Sequence, residues 1–281
     1  MIKKYYIMGL PSSGKTTFLA ALGFVLNMSN EYAITLKSCN DLEYVNNIAK
    51  QWSGCNQVEH THIETREEIR MTVSEAGGDE YELQLPDQAG ELFKKKYRSK
   101  SSMAELYSAL RENAKILFFI NPTLVRPEPM IEDVSEKYRE CVSAEKGGKV
   151  DDIRLGGNVL DPSVFALGDQ AEHVELLQSI LASGLRSIDI TILISAWDIT
   201  ARDGKIKKPE DALYYYLPLL WQVIESHKDV LHVGYWGISA QGGNWKNPEE
   251  RKELLSKPCL NRAYAVDLDG NKALDFTKIL L

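Results

Sequence analysis

Long apolar runs are missing from this chain. The longest, Ile116 to Ile120 and Ile188 to Ala196, fall well short of the roughly 20 residues that a membrane-spanning helix needs, so no membrane span is expected. A basic excess is missing too. The 33 Lys and Arg residues stand against 40 Asp and Glu, a net charge of −7, which leaves no whole-protein field to collect nucleic acid or an anionic membrane surface. Cysteine is sparse: Cys39, Cys55, Cys141 and Cys259 form no C-x-x-C pair, which argues for reduced thiols in a cytoplasmic setting rather than a disulfide framework. Cys55, His60 and His62 lie close together but match no zinc spacing. Lys3 and Lys4 imitate the start of a signal peptide, yet Gly9 and Pro11 break the apolar run before a core of about 7 to 15 residues can form. No internal repeat is visible.

What is there is a folded α/β pattern, with 44% apolar residues to build a core. Ile2 to Met8 reads as a strand and Lys15 to Met28 as a helix, with a glycine-bearing loop between them. A helix is expected over Leu42 to Trp52. Ile69, Met71 and Val73 alternate, as do Tyr81, Leu83 and Leu85, and the Gly77-Gly78 pair between them makes a β-hairpin. Further on come a helix from about Met103 to Glu112, a strand Ile116 to Ile120, a helix Ala171 to Ser183, a strand Ile188 to Ile194, one helix Pro209 to Ser226, a strand Leu231 to Trp236 and a last helix near Asp275 to Leu281. Ile116 to Ile120 and Ile188 to Ile194 are apolar on both faces, as central parallel strands covered by helices are. Residues 123–168, rich in Gly, Pro and charge, read as an insertion, partly helical near Ile131 to Val142.

Four short stretches carry chemistry. Gly9, Gly14, Lys15 and Thr16 satisfy G-x-x-x-x-G-K-[ST], in which glycines let successive N–H groups face a phosphate chain. The strand before the loop and the helix after it supply the required context, and the helix N-terminus adds positive potential. The second is D-Q-A-G-E, Asp87 to Glu91, after the hairpin. There a carboxylate at a strand end can hold Mg2+ through water and Gly90 can offer its N–H to a γ-phosphate; the plain alternative is a Pro-Asp turn. The third is S-A-W-D, Ser195 to Asp198, whose aspartate can accept both the N1 and N2 hydrogens of guanine or can simply cap a turn. The fourth is Ser239-Ala240, where a backbone N–H can reach guanine O6. Lys94-Lys95-Lys96 reads as a solvated helix start, and Tyr214-Tyr215-Tyr216 as packing.

Taken together, these stretches resemble the GTPases of the translation-factor and Ras-like class, in which a phosphate loop, D-x-x-G, N-K-x-D and S-A-K occur in that order at successive strand ends. The wording at Leu10 to Leu22, L-P-D-Q-A-G-E at Leu85 to Glu91, and F-F-I-N-P at Phe118 to Pro122 is most similar to the bacterial double-GTPase group associated with conflict and defence systems. The resemblance implies a three-layer P-loop NTPase sandwich, with a mostly parallel sheet and one antiparallel hairpin strand, as a single domain over residues 1–281. It implies binding of GTP and GDP with Mg2+, hydrolysis of GTP to GDP and phosphate, a switch role in the cytoplasm, and a protein effector encoded alongside. Gly9, Ser12, Ser13, Gly14, Lys15, Thr16 and Thr17 would hold the phosphates. Thr16, Asp87 and a switch threonine would hold the metal; Thr61 is preferred over Thr65, which runs directly into Arg66, Glu67 and Glu68. Asp198, Ser239 and Ala240 would read the base.

The sequence departs from that pattern in ways that matter. Ala196 replaces the lysine that packs over the loop and base, and Ser195 replaces an asparagine, which weakens the expected guanine selectivity. Glu91 stands where a water-orienting glutamine is usual, with Gln88 as a substitute, so slow hydrolysis is expected. A P-loop ATPase or kinase, and a scaffold that binds nucleotide without turnover, are the competing readings.

Overall fold

A computed structural model describes residues 2–28, 32–58, 68–75, 77–86, 100–125 and 168–281. The described strands form one nine-stranded sheet, in the order β2-β3-β4-β1-β5-β6-β7-β8-β9. These are β1 (Ile2–Gly9), β2 (Ile34–Cys39), β3 (Ile69–Glu75), β4 (Glu80–Leu85), β5 (Lys115–Ile120), β6 (Ile188–Ile194), β7 (Leu231–Ser239), β8 (Tyr264–Val266) and β9 (Lys272–Ala273). The centre is parallel, from β4 through β1, β5 and β6 to β7. Both edges are antiparallel: β2 and β3 on one side, β8 and β9 on the other.

Side-chain alternation builds three layers. Tyr5 and Ile7 of β1, with Leu117 and Phe119 of β5, face one apolar cluster; Tyr6 and Met8, with Ile116, Phe118 and Ile120, face the other. A strand apolar on both faces has to be covered on both. The first face is covered by α1 (Lys15–Met28) and α2 (Leu42–Ser53), and the second by α3 (Lys100–Arg111), α4 (Asp169–Leu181), α6 (Pro209–Tyr216) and α7 (Pro218–Ser226). A short α5 (Trp197–Thr200) follows β6 directly, and α8 (Pro248–Ser256) lies between β7 and β8.

The expected hairpin is present, closed by a turn in which Gly78 takes a positive φ of 97°. The expected helix over Pro209 to Ser226 is two helices. Leu217 sits at φ −133° and ψ 60° between them, because Pro218 has no N–H to give and disfavours helical backbone in the residue before it. The last helix is a 3-10 turn, Phe276–Leu280, capped by the Asp275 carboxylate. Tyr216 leans on the core, while Tyr214 and Tyr215 are exposed, at 59% and 66%, and pack edge-on against Trp221 and Tyr216 respectively. The insertion reading for 123–168, with its helix near Ile131 to Val142, falls mostly on residues 126–167, which lie outside the described residues. Its described ends are a 3-10 turn at Pro122–Leu124 and Gly168, which leads into α4.

Candidate functional site

The carboxyl ends of β1, β5, β6 and β7 lie side by side, which is where open α/β sheets hold their ligands. The glycine loop leaves β1 at Gly9, whose φ is 150°, and turns into α1 at Gly14, whose φ is 97°. Neither position has room for a side chain. A Cβ on Gly9 would meet the Phe119 carbonyl at 2.4 Å and Ser13 Oγ at 2.8 Å, and one on Gly14 would meet Ser195 Cβ at 3.0 Å. Ser12 takes a left-handed φ of 60°, and its carbonyl accepts from Asn121 Nδ2 at 3.4 Å. The Ser13 N–H donates to the Leu10 carbonyl at 3.2 Å, and α1 opens with the Phe18 N–H on the Gly14 carbonyl at 2.9 Å.

Lys15 is turned inward. Its ammonium donates to the Gly9 and Leu10 carbonyls at 2.9 and 2.8 Å and to Ser13 Oγ at 3.1 Å. Burial pushes its pKa down to about 7, because a desolvated amine holds its proton less tightly than one in water. An anion arriving at this loop competes for that donor with acceptors of stronger charge. Thr16 and Thr17, half-buried, follow in the first turn of α1.

The S-A-W-D motif is built on a tight turn. Ser195 donates its N–H to the Ile120 carbonyl at 2.8 Å, and Ala196 is left-handed at φ 50°. Trp197 then drives its indole onto Gly237 of β7, where a Cβ would come within 2.5 Å of the ring. That anchor sets Asp198 at the β6–β7 boundary, where its carboxylate accepts from the Ser239 hydroxyl at 2.6 Å. Burial raises the Asp198 carboxyl above its ordinary range, and the Ser239 bond pulls it part of the way back. Ala196, not Asp198, stands at the cap position of α5, and Asp198 lies in its first turn. The Ala240 carbonyl accepts from Trp52 Nε1 at 2.8 Å, which ties the end of β7 to α2.

Ser195 joins the two halves. Its hydroxyl faces Gly14, is buried, and has no hydrogen-bond partner among the described residues. An orphaned buried hydroxyl against a phosphate-type loop fits a ligand-bearing site. Lys15, the loop amides and Asp198 fit a nucleoside phosphate with a hydrogen-bond donor on its base edge. For Mg2+, the fitting oxygen among described residues is the Thr16 hydroxyl. Asp87, Gln88, Gly90 and Glu91, with Thr61, Thr65 and Lys94 to Lys96, lie outside the described residues. So do Cys141, His60 and His62, while Cys39, Cys55 and Cys259 are free thiols. No described helix is long and apolar enough to cross a membrane.

Sequence reasoning passed over three features here: the Trp197–Gly237 contact, the Trp52 bond to Ala240, and strand β8 beside Ser239. The tryptophan in S-A-W-D was a signal in itself, since a large ring directly before a site residue needs somewhere to pack.

The profile of the Double-GTPase 1 family matches residues 6–281, and the chain belongs to that family. No curated protein matches. Among solved structures, nucleolar GTP-binding protein 1 from Plasmodium falciparum aligns at 14% identity over 91% of this chain and 87% of its own, with a TM-score of 0.39. The signal recognition particle receptor SRb–SRX complex from Chaetomium thermophilum aligns at 11% identity over 87% of this chain and 93% of its own, with a TM-score of 0.39. Era from Aquifex aeolicus aligns at 16% identity over 92% of this chain and 57% of its own, with a TM-score of 0.33.

Proposed function

We propose that this member of the double-GTPase family binds GTP and GDP with Mg2+, hydrolyses GTP slowly and uses the difference between the two states as a switch. What supports this most is one arrangement: the Lys15 loop and the Asp198–Ser239 pair stand at neighbouring strand ends, with Ser195 packed against Gly14 between them. One end suits phosphates and the other suits the guanine edge.

In this reading the Lys15 ammonium leaves the Gly9 and Leu10 carbonyls and pairs with the β- and γ-phosphates, while the amides of Gly14 to Thr17, at the start of α1, orient them. Asp198 accepts from the N1 and N2 hydrogens of guanine, and the Ala240 N–H takes O6. The metal, when bound, neutralises charge between the phosphates, with the Thr16 hydroxyl, Asp87 through water and Thr61 as its protein partners. Water attacks the γ-phosphorus, the bond to the bridging oxygen breaks, and GDP and inorganic phosphate form; Glu91 or Gln88 orients that water. Losing the γ-phosphate then releases the segments around Thr61 and Gly90. The setting is a single cytoplasmic domain with an insertion at 123–168, acting on a partner protein encoded with it in a bacterial defence system.

Titration with labelled GTP, GDP and ATP, with and without Mg2+, tests the reading. Guanine nucleotides are expected to bind at least tenfold tighter than ATP, and equal affinity would remove the central claim. Phosphate release that stays slower than nucleotide exchange even with partners added would make the chain a scaffold that binds without turnover.

A further inference from the structure

Ala240 lies one residue past the last strand pair of β7. The β6–β7 register ends at Gly237 and the β7–β8 register at Ser239, and the Ala240 carbonyl is held by a side chain from α2. Trp52, in the last turn of that helix, donates its indole N–H to this carbonyl at 2.8 Å, across 188 positions of sequence. The indole has one donor and no acceptor, and the ring that carries it is fully buried. Phe24 of α1 packs against it at 5.3 Å between centroids, and the Arg262 guanidinium stands 5.9 Å from its centroid. Arg262, itself buried, is anchored in turn, donating to the Ser53 carbonyl at 2.8 Å and to Cys55 Sγ at 3.2 Å.

These contacts bear on the base because Ala240 is held on both sides of its Cα. Upstream, the Ser239 hydroxyl donates to Asp198 at 2.6 Å and accepts the Gly242 N–H at 3.1 Å. Downstream, the Ala240 carbonyl belongs to the next planar peptide, and the indole holds that plane. With both neighbours fixed, the direction of the Ala240 N–H between them is fixed as well. Resting on the reading of that N–H as the guanine O6 contact, we propose that Trp52 is a positioning residue for base recognition. Its indole aims the Ala240 N–H before nucleotide arrives, so binding has less ordering left to supply. Asp198 then meets N1 and N2, Ala240 meets O6, and α2 sets the second contact without touching the first.

The test compares GDP with 6-thio-GDP, in which sulfur, a weaker acceptor than oxygen, replaces O6, and with IDP, which lacks the 2-amino group. Each is titrated into the wild type, into Trp52→Phe, and into protein carrying 3-benzothienylalanine in place of Trp52, which keeps the shape of the indole and loses its N–H. In both altered proteins the preference for GDP over 6-thio-GDP is expected to shrink about three- to tenfold, the worth of one hydrogen bond, while the preference for GDP over IDP stays. Thermal melting of nucleotide-free samples shows what Trp52→Phe does to folding, and the benzothienyl side chain preserves the packing, so its result decides if Trp52→Phe unfolds. An unchanged preference for GDP over 6-thio-GDP in the benzothienyl protein, or an equal loss of both preferences, would overturn the proposal while leaving Ala240 as the O6 contact. A wild type that binds GDP and 6-thio-GDP equally would overturn the O6 reading of Ala240 itself, and this proposal with it.

Discussion

The Ser239 hydroxyl donates to the Asp198 carboxylate at 2.6 Å, across 41 positions of sequence. The contact joins the first turn of α5, directly after β6, to the last residue of the neighbouring parallel strand β7, and it occupies one oxygen of a half-buried carboxylate. A carboxylate held this way keeps lone pairs on both oxygens, which suits the paired donors of guanine that adenine lacks.

Replacing that carboxylate by an amide is expected to remove base selection without harming the phosphate half. Asp198→Asn turns one acceptor oxygen into a donor, so it faces the guanine donors with a like group. GDP and GTP affinity should fall about 100-fold, the scale of two lost charge-assisted bonds, while ATP affinity should hardly move. Competition binding with labelled nucleotide measures both. An equal loss for ATP would mean that the change damaged the fold or that Asp198 does not select the base.

Lys15 should matter for phosphates and not for folding. Gly9, Leu10 and Ser13, whose oxygens accept from its amine, lie within its own loop, and Lys15→Met keeps the stem's volume while removing a buried amine. Nucleotide affinity is expected to fall about 100-fold or more, for GTP and ATP alike. The melting temperature of the nucleotide-free protein should stay within a few degrees of wild type. Titration and thermal melting on the same samples separate the two effects.

The same residue predicts a pH dependence. Burial lowers the Lys15 pKa to about 7 from its ordinary 10.5, so between those values the unfolded chain holds a proton that the folded chain has released. Lys15's share of stability therefore rises with pH across that window. Phosphates restore the ammonium, so nucleotide binding at pH 8 should take up close to one proton, and affinity should weaken as pH climbs past about 7. Asp198 acts at the other end. Burial raises its carboxyl above the ordinary 3.8, so acidification should protonate it, and guanine preference should fade at a higher pH than an exposed aspartate would give. Calorimetry in buffers of different ionisation enthalpy reads the proton uptake, and Lys15→Met should abolish it.

Local signals in the chain were enough for the phosphate loop and the central sheet. Gly9, Gly14 and Lys15 have fixed spacing and a strand-loop-helix setting, and the two-sided apolar runs of β5 and β6 admit few positions other than the middle of a sheet. The edges were not legible in the same way. Strand β2 is six residues long with a register shift near Leu36, and β9 has only two residues. Elements that short are set by the neighbours they pair with, not by their own periodicity. The candidate base site was legible in part: Asp198 and Ser239 stood out as motif fragments, but their pairing exists only once β6 and β7 lie side by side. The split between α6 and α7 had a local cause in Pro218, and the apolar pattern that continued across it hid that cause.

The turn carrying Asp198 should prove sensitive to a position that touches no ligand. Gly237 and Gly234 both lie in β7, and both are glycines in extended strand, so loss of chain flexibility affects them alike. They differ in what a methyl group would meet. At Gly237 it would come within 2.5 Å of the Trp197 ring, while at Gly234 its nearest neighbour would be Thr191 Oγ1 at an ordinary 3.5 Å. Trp197 is buried against the core and cannot retreat without moving the Ala196 turn and Asp198 with it. Gly237→Ala is therefore expected to cost about 1–3 kcal/mol, a fall of roughly 2–10 °C in melting temperature for a chain of this size. It should also weaken GDP binding more than ATP binding. Gly234→Ala should do neither. If both alanines lowered stability equally and left GDP affinity alone, the Trp197–Gly237 contact would have no part in placing Asp198.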